Sequence, residues 1–144
     1  MKTNQKSARQ LFLSFAICGL VFSLAWKFPM GENNLQNSEW KAPAASKDKK
    51  NPIASDEASI AAGKKIYEKE CLNCHGKKGK GDGKDAANQD ATVADLSSAK
   101  VQAQTDGEIF WKISEGRKPM PANKKTLSED QRWQVLNYVR TLKK

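Results

Sequence analysis

Cys71-Leu72-Asn73-Cys74-His75 constrains this chain more than any other stretch, because it sets two thiols three positions apart with an imidazole directly after the second. C-x-x-C-H is the spacing for covalent c-type haem attachment. Two sulfurs have to reach two vinyl groups on one porphyrin edge while the adjacent imidazole approaches the iron from below, and a single helical turn presents all three. His75 is the only histidine of the chain, so the proximal nitrogen ligand has one candidate and bis-histidine ligation is excluded.

Three other chemistries use similar residues. A zinc site needs four tetrahedral N or S ligands, and beyond the motif the chain offers only Cys18, in an apolar segment near the N-terminus. A thioredoxin-type dithiol belongs beside a βαβ pattern, and no strand-like alternation flanks Cys71. A structural disulfide between Cys71 and Cys74 is a further alternative. Haem attachment is favoured by the strength of the motif and by its context in the chain.

The chain has 144 residues, with 25 Lys and Arg against 16 Asp and Glu, a net charge of +9. That length accommodates one modest domain with extensions. The two signs are interleaved too evenly for a nucleic-acid-binding arm, so no nucleic-acid partner is expected. Residues 57–144 hold 17 basic and 12 acidic residues, net +5, and residues 1–56 hold 8 and 4, net +4.

At the N-terminus Lys2, Lys6 and Arg9 precede a run without charge, Leu11 to Trp26. Residues 1–28 therefore read as a signal peptide or membrane anchor. The 16 residues of the run lie between a cleavable apolar region and the roughly 17–25 residues that span a bilayer. The basic start keeps the N-terminus cytoplasmic and sends the rest outward. A cleavage site is compatible with Ser23 and Ala25, whereas Trp26 and Lys27 suit an outer membrane interface; the polar stretch that follows favours an uncleaved anchor over residues 11–26. Cys18 is a poor lipoprotein cysteine, being preceded by Ile17 in mid-run.

Residues 29–56 are rich in Asn, Lys, Ala, Ser and Pro, with Trp40 and Ile53 isolated among them. Such a segment buries too little to fold alone, and it reads as a flexible tether with an r.m.s. span on the order of 30 Å. A domain over 57–144 follows. Ser55 or Asp56 caps a first helix over 57–70, with Ile60, Gly63 and Tyr67 on one face and Gly63 marking a close helix crossing. Thr105-Asp106-Gly107-Glu108 is a capping box opening a second helix through Ile109, Phe110 and Ile113 that stops at Gly116. Ser128-Glu129-Asp130-Gln131 opens a third, with Val135, Tyr138, Val139 and Leu142 on one stripe, widened by Trp133 and Leu136. No segment reads as a strand, so the fold class is all-α.

Residues 76–98 carry Gly76, Gly79, Gly81 and Gly83 among charges and read as a wrapping loop. A phosphate loop is disfavoured, since no strand precedes and the G-x-x-x-x-G-K-[ST] order is missing. A haem iron held by His75 has a sixth position suited to a thioether. Met1 and Met30 fall outside the domain, which leaves Met120 in Arg117-Lys118-Pro119-Met120-Pro121, where two prolines fix φ and remove two donors.

Together these residues resemble the class I monohaem cytochrome c family over about residues 57–143. The resemblance is carried by Gly63 and Tyr67, by Cys71 through Gly76, by Gly116 to Pro121 with its Met-Pro step, and by Trp133 to Val139. It implies a small domain of three or more helices around one covalent haem c, with the first and last helices crossing so that Gly63 and Tyr67 meet Tyr138, and with His75 and Met120 as axial ligands. The chain departs from the family in having no proline between Gly76 and Pro119 to orient the histidine. A backbone carbonyl within 86–95 must then accept from His75, and Leu96 is placed to close over the haem edge.

The resemblance also implies an exported electron carrier, periplasmic or on the outer face of the cytoplasmic membrane, with no bond-making chemistry of its own. The alternatives are a haem-bearing subunit of a dehydrogenase or terminal oxidase or reductase complex, and a sensor or peroxidase-like protein. No acid/base pair accompanies the motif, which argues against catalysis. Lys77, Lys78, Lys80 and Lys84, with Arg117, Lys118, Lys124 and Lys125, form two basic segments on either side of the expected ligands, so the expected redox partner presents an acidic docking surface.

Overall fold

Aligned caps explain where the helices begin. The structure, a computed structural model, describes residues 39–144. Asp56 accepts from the Ser59 amide to start α1 (Glu57–Glu70). Thr105 with Glu108, and Ser128 with Gln131, form reciprocal capping boxes at α4 (Asp106–Glu115) and α5 (Glu129–Thr141). Each box satisfies two otherwise orphaned groups at a helix start. Two single-turn helices lie between, α2 (Leu72–His75) directly after α1 and α3 (Ala99–Gln102) after the long loop, capped by Ser98. Among the described residues there is no strand, so the fold is all-α, with an isolated bridge between Arg117 and Met120 as its one extended pairing.

The core forms where α5 packs against α1 on one side and α4 on the other. Trp133 and Leu136 are fully buried, and Tyr67, Ile109, Phe110, Ile113, Val135 and Val139 surround them. Phe110 stacks on Trp133 with ring centroids 3.8 Å apart and planes 16° off parallel. Burying aliphatic side chains of this size contributes about 1.5–3 kcal/mol each. Gly63 is the close approach expected: a Cβ there would lie 1.9 Å from the Gln134 carbonyl oxygen of α5. Tyr67 and Tyr138 meet beside it with centroids 5.1 Å apart. Ile60 is only half-buried, and Ser59 takes the inner position on that turn.

Polar groups complete the packing. Arg140 donates to Asp106 Oδ1 from Nε at 2.9 Å and Nη2 at 2.6 Å and also reaches the carbonyls of Gln102 and Gln104, tying the end of α3 and the start of α4 to α5. Buried Arg132 reaches the Ser114 hydroxyl and lies 4.9 Å over the Phe110 ring.

Residues 39–56 differ from the tether expected of them: they lie along the domain as a strap. Gly107 of α4 sits against the Ser46 carbonyl, where a Cβ would come within 1.9 Å. Lys49 Nζ donates to Glu129 at 2.8 Å, and Asn51 Nδ2 to Asn137 Oδ1 at 2.7 Å. Asn137, buried at the α1–α5 crossing, donates back to the Ile53 and Ala54 carbonyls, and Ile53 packs on the core. A segment too polar to fold alone still binds where each isolated apolar side chain and amide meets a partner on a surface already built. The apolar run 11–26, Cys18 and the tether residues before 39 lie outside the described residues. Among the described residues no helix is long and apolar enough to cross a membrane.

Candidate haem site

Cys71 ends α1 by donating its amide to the Tyr67 carbonyl at 2.9 Å, and the His75 amide donates to the Cys71 carbonyl at 2.9 Å. One continuous turn therefore carries both cysteines and the histidine, as their spacing required. Gly76 then leaves the helix with φ of +77°, a backbone conformation that costs a side-chain-bearing residue about 1–2 kcal/mol. The buried Tyr67 hydroxyl donates to the Gly76 carbonyl at 2.7 Å. Burial pushes the pKa of that hydroxyl well up, with Cys71 adding to the effect, so it stays a neutral donor.

The glycine-rich loop returns to close this turn. The amides of Gly81, Gly83 and Asp85 donate to the carbonyls of His75, Cys74 and Asn73 at 2.9, 3.1 and 2.9 Å. Those are the last carbonyls of α2, which the helix itself cannot satisfy. Gly83 lies so near that a Cβ would sit 2.1 Å from the Asn73 oxygen. These three loop amides are thus spent on the chain's own carbonyls and do not cradle a phosphate.

His75 Nδ1 meets the Ala94 carbonyl at 3.2 Å. A carbonyl only accepts, so the ring proton sits on Nδ1 and the Nε2 lone pair is left for a metal. Burial lowers the imidazole pKa, the Ala94 bond opposing it in part, which keeps the ring neutral as a ligand must be. Ala94 lies within the expected 86–95 region. Its neighbour Asp95 accepts from the Ser97 amide at 2.9 Å, the Ser97 hydroxyl at 2.6 Å and Lys144 at 3.1 Å. The Ser97 hydroxyl first, then Lys144, hold that carboxyl below its ordinary range. Leu96 donates its amide to the Gly79 carbonyl at 2.6 Å and packs on the core. Asp95, with a serine two residues on, is the turn signal that sequence reading passed over.

Met120 stands on a different segment. The amides of Arg117 and Met120 donate to each other's carbonyls at 3.1 and 2.9 Å, with the Lys118–Pro119 peptide cis between them. Buried Asn123 fastens this turn to α4: its amide and its Nδ2 both reach the Ile113 carbonyl, at 3.3 and 3.1 Å. Met120 is half-buried. Asn123 was not singled out in the sequence, because its contact with Ile113 exists only once the chain has turned back on α4.

The donor set fits a porphyrin better than a bare ion. No disulfide joins Cys71 and Cys74 in this structure. Among the described residues no three His, Cys, Asp or Glu side chains converge to hold a metal ion. Burial, then the charge of Glu70, pushes the Cys71 thiol up to about 12. It is a protonated, sheltered thiol and not a reactive thiolate of the thioredoxin kind.

An all-α domain with this turn, a neutral imidazole and two free thiols defines a c-type cytochrome, and its cofactor is haem c. Residues 58–139, more than half of the chain, match the family model described as cytochrome c oxidase, cbb3-type, subunit III, and the chain belongs to that family. It is similar to a chain of the Kuenenia stuttgartiensis reducing HAO-like protein complex, at 35% identity and a TM-score of 0.61, over 65% of this chain and 47% of that one. It therefore spans less than half the length of that relative. No curated protein matches. The function of the domain is haem-mediated electron transfer.

Proposed function

We propose that the chain is a class I monohaem cytochrome with one covalent haem, held by thioethers to Cys71 and Cys74, by His75 Nε2 on one axial side and by the Met120 thioether on the other. The observation that carries this reading is the His75 Nδ1 bond to Ala94, which leaves the one histidine of the chain neutral with a single nitrogen free to ligate. Bound there, the haem supplies one-electron exchange between Fe(III) and Fe(II), and a His/Met pair raises the reduction potential. Tyr67 and the loop amides hold the attachment turn, Ala94 orients the ring, and Asn123 and the Arg117 backbone hold the turn that offers the thioether. Ligation by both His75 and Met120 would leave the iron no open position for a substrate, which supports a carrier over an enzyme.

The family and the relative, one named for an oxidase subunit and the other for a multiprotein complex, support a role as the electron-transfer part of a larger redox assembly. The basic Lys and Arg pattern supports a partner with an acidic docking face. The charge-free run over 11–26 supports an exported domain anchored at the outer face of the cytoplasmic membrane, with residues 1–28 as anchor and a tether shortened to the residues before the strap. Intact mass of the exported protein tests the reading: the expected product is the chain plus one haem. Replacing Cys71 and Cys74 together with Ser should leave a haem that acid–organic solvent extracts. A mass of bare polypeptide, or of two haems, would overturn it.

A further inference from the structure

We propose that Trp40 is a positioning residue for the Met120 turn, held in place by the strap and acting through Arg117. The inference rests on Met120 being the sixth ligand. In the sequence Trp40 is an isolated aromatic in a polar stretch with no evident use. In the structure its ring lies 6.2 Å from that of Trp111 on α4, tilted by 59°, and is half-buried. The Lys112 ammonium stands 5.6 Å and the Arg117 guanidinium 5.2 Å from its centroid, inside the range at which a cation gains from a ring face. The same Arg117 exchanges both backbone hydrogen bonds with Met120, at 3.1 and 2.9 Å. One ring thus joins the last turns of α4 to the residue that clamps Met120.

The ring is not on a loose tail. Ser46 against Gly107, Lys49 between Glu129 and the Phe110 ring at 4.4 Å, and Asn51 on Asn137 fix the strap on the domain at three points beyond it. The Met120 turn otherwise reaches α4 through Gly116, Asn123 and Lys124, whose amide donates to the Ser114 carbonyl at 3.0 Å, so a further fastening on its outer side limits how far the thioether can withdraw. An iron-bound thioether competes with any ligand from solution in proportion to the time its turn spends in place. Loosening the turn therefore shows as easier displacement, and as faster amide exchange at Arg117 and Met120.

The test compares the ferric holo-protein carrying Trp40→Leu, which keeps apolar contact with Trp111 but has no ring face, with Trp40→Phe, which retains one. Imidazole titration and hydrogen exchange are measured on both, with unfolding followed separately by far-UV circular dichroism. Trp40→Leu should bind imidazole roughly tenfold more tightly than the unsubstituted protein, as expected for loss of a partly buried cation–ring contact. Its Arg117 and Met120 amides should exchange faster, and Trp40→Phe should restore most of both. If Leu and Phe leave imidazole affinity and exchange within twofold of the unsubstituted protein, the inference is wrong, whatever happens to the unfolding midpoint. Met120→Ala in the same titration separates the two claims. If it binds imidazole no more tightly than the unsubstituted protein, Met120 is not the ligand and both fall; if it binds more tightly while residue 40 has no effect, only the role of Trp40 falls.

Discussion

Asn123 illustrates how a single polar side chain holds the turn that carries Met120. Its Nδ2 donates to the Ile113 and Pro121 carbonyls at 3.1 and 3.4 Å from a buried position, so its loss removes both bonds and leaves the Ile113 carbonyl to the Asn123 main-chain amide at 3.3 Å. Asn123→Ala should cost about 0.5–1.5 kcal/mol, the net worth of an intramolecular hydrogen bond, measured as a shift in the midpoint of denaturant unfolding with an unchanged slope. A shift under about 0.5 kcal/mol, the range of ordinary surface substitutions, would mean that the turn is held by its backbone alone. At this scale the turn that carries Cys71, Cys74 and His75 is legible in their spacing, and the groups that hold that turn are not. Ala94 acts through a carbonyl that every residue possesses, and Asn123 and Asp95 act through contacts that exist only once the loops have closed.

Among the helices, the crossing of α1 and α5 is the least tolerant contact. Gly63 admits the Gln134 carbonyl to where its own Cβ would be, at 1.9 Å, and the atom in the way belongs to backbone, which cannot swing aside. Gly63→Ala should force the two helices apart. We expect a loss at the upper end of the roughly 1–3 kcal/mol of overpacking, read from thermal unfolding, although alanine favours a helix by about 1 kcal/mol at an exposed site. An unchanged or raised midpoint would show that the crossing relaxes freely. The three long helices could be read beforehand because caps and apolar spacing are local, and Asp56, Thr105 and Ser128 all serve as the caps they resemble. The strap could not, because nothing in residues 39–56 is periodic. Its order comes from α4, α5 and buried Asn137, elements remote in sequence that Trp40, Lys49, Asn51 and Ile53 meet one at a time.

For the whole molecule, the proposed docking by charge and the proposed ligation of the iron are open to separate tests. Lys124 pairs with Glu115 at 3.0 Å, and Lys118 and Lys125 are exposed in the same basic segment. Lys77, Lys78 and Lys80 share a groove of about 250 Å³ with Lys144. Oxidation of the reduced holo-protein by hexacyanoferrate(III), a small anion, should slow as salt shortens the screening length to about 8 Å near physiological ionic strength. Charge reversal at Lys118 or Lys125 should slow it more than reversal at Lys64 on α1. A rate that is flat or rises with salt, with the variants alike, would reduce the basic segments to a solvated surface. The claim on which the rest depends is axial ligation by His75 and Met120, and the ferric absorption spectrum tests it most directly. The unsubstituted holo-protein should show the weak long-wavelength sulfur-to-iron band, and Met120→Ala should lack it. A band absent from the unsubstituted protein, or retained in Met120→Ala, would contradict the account.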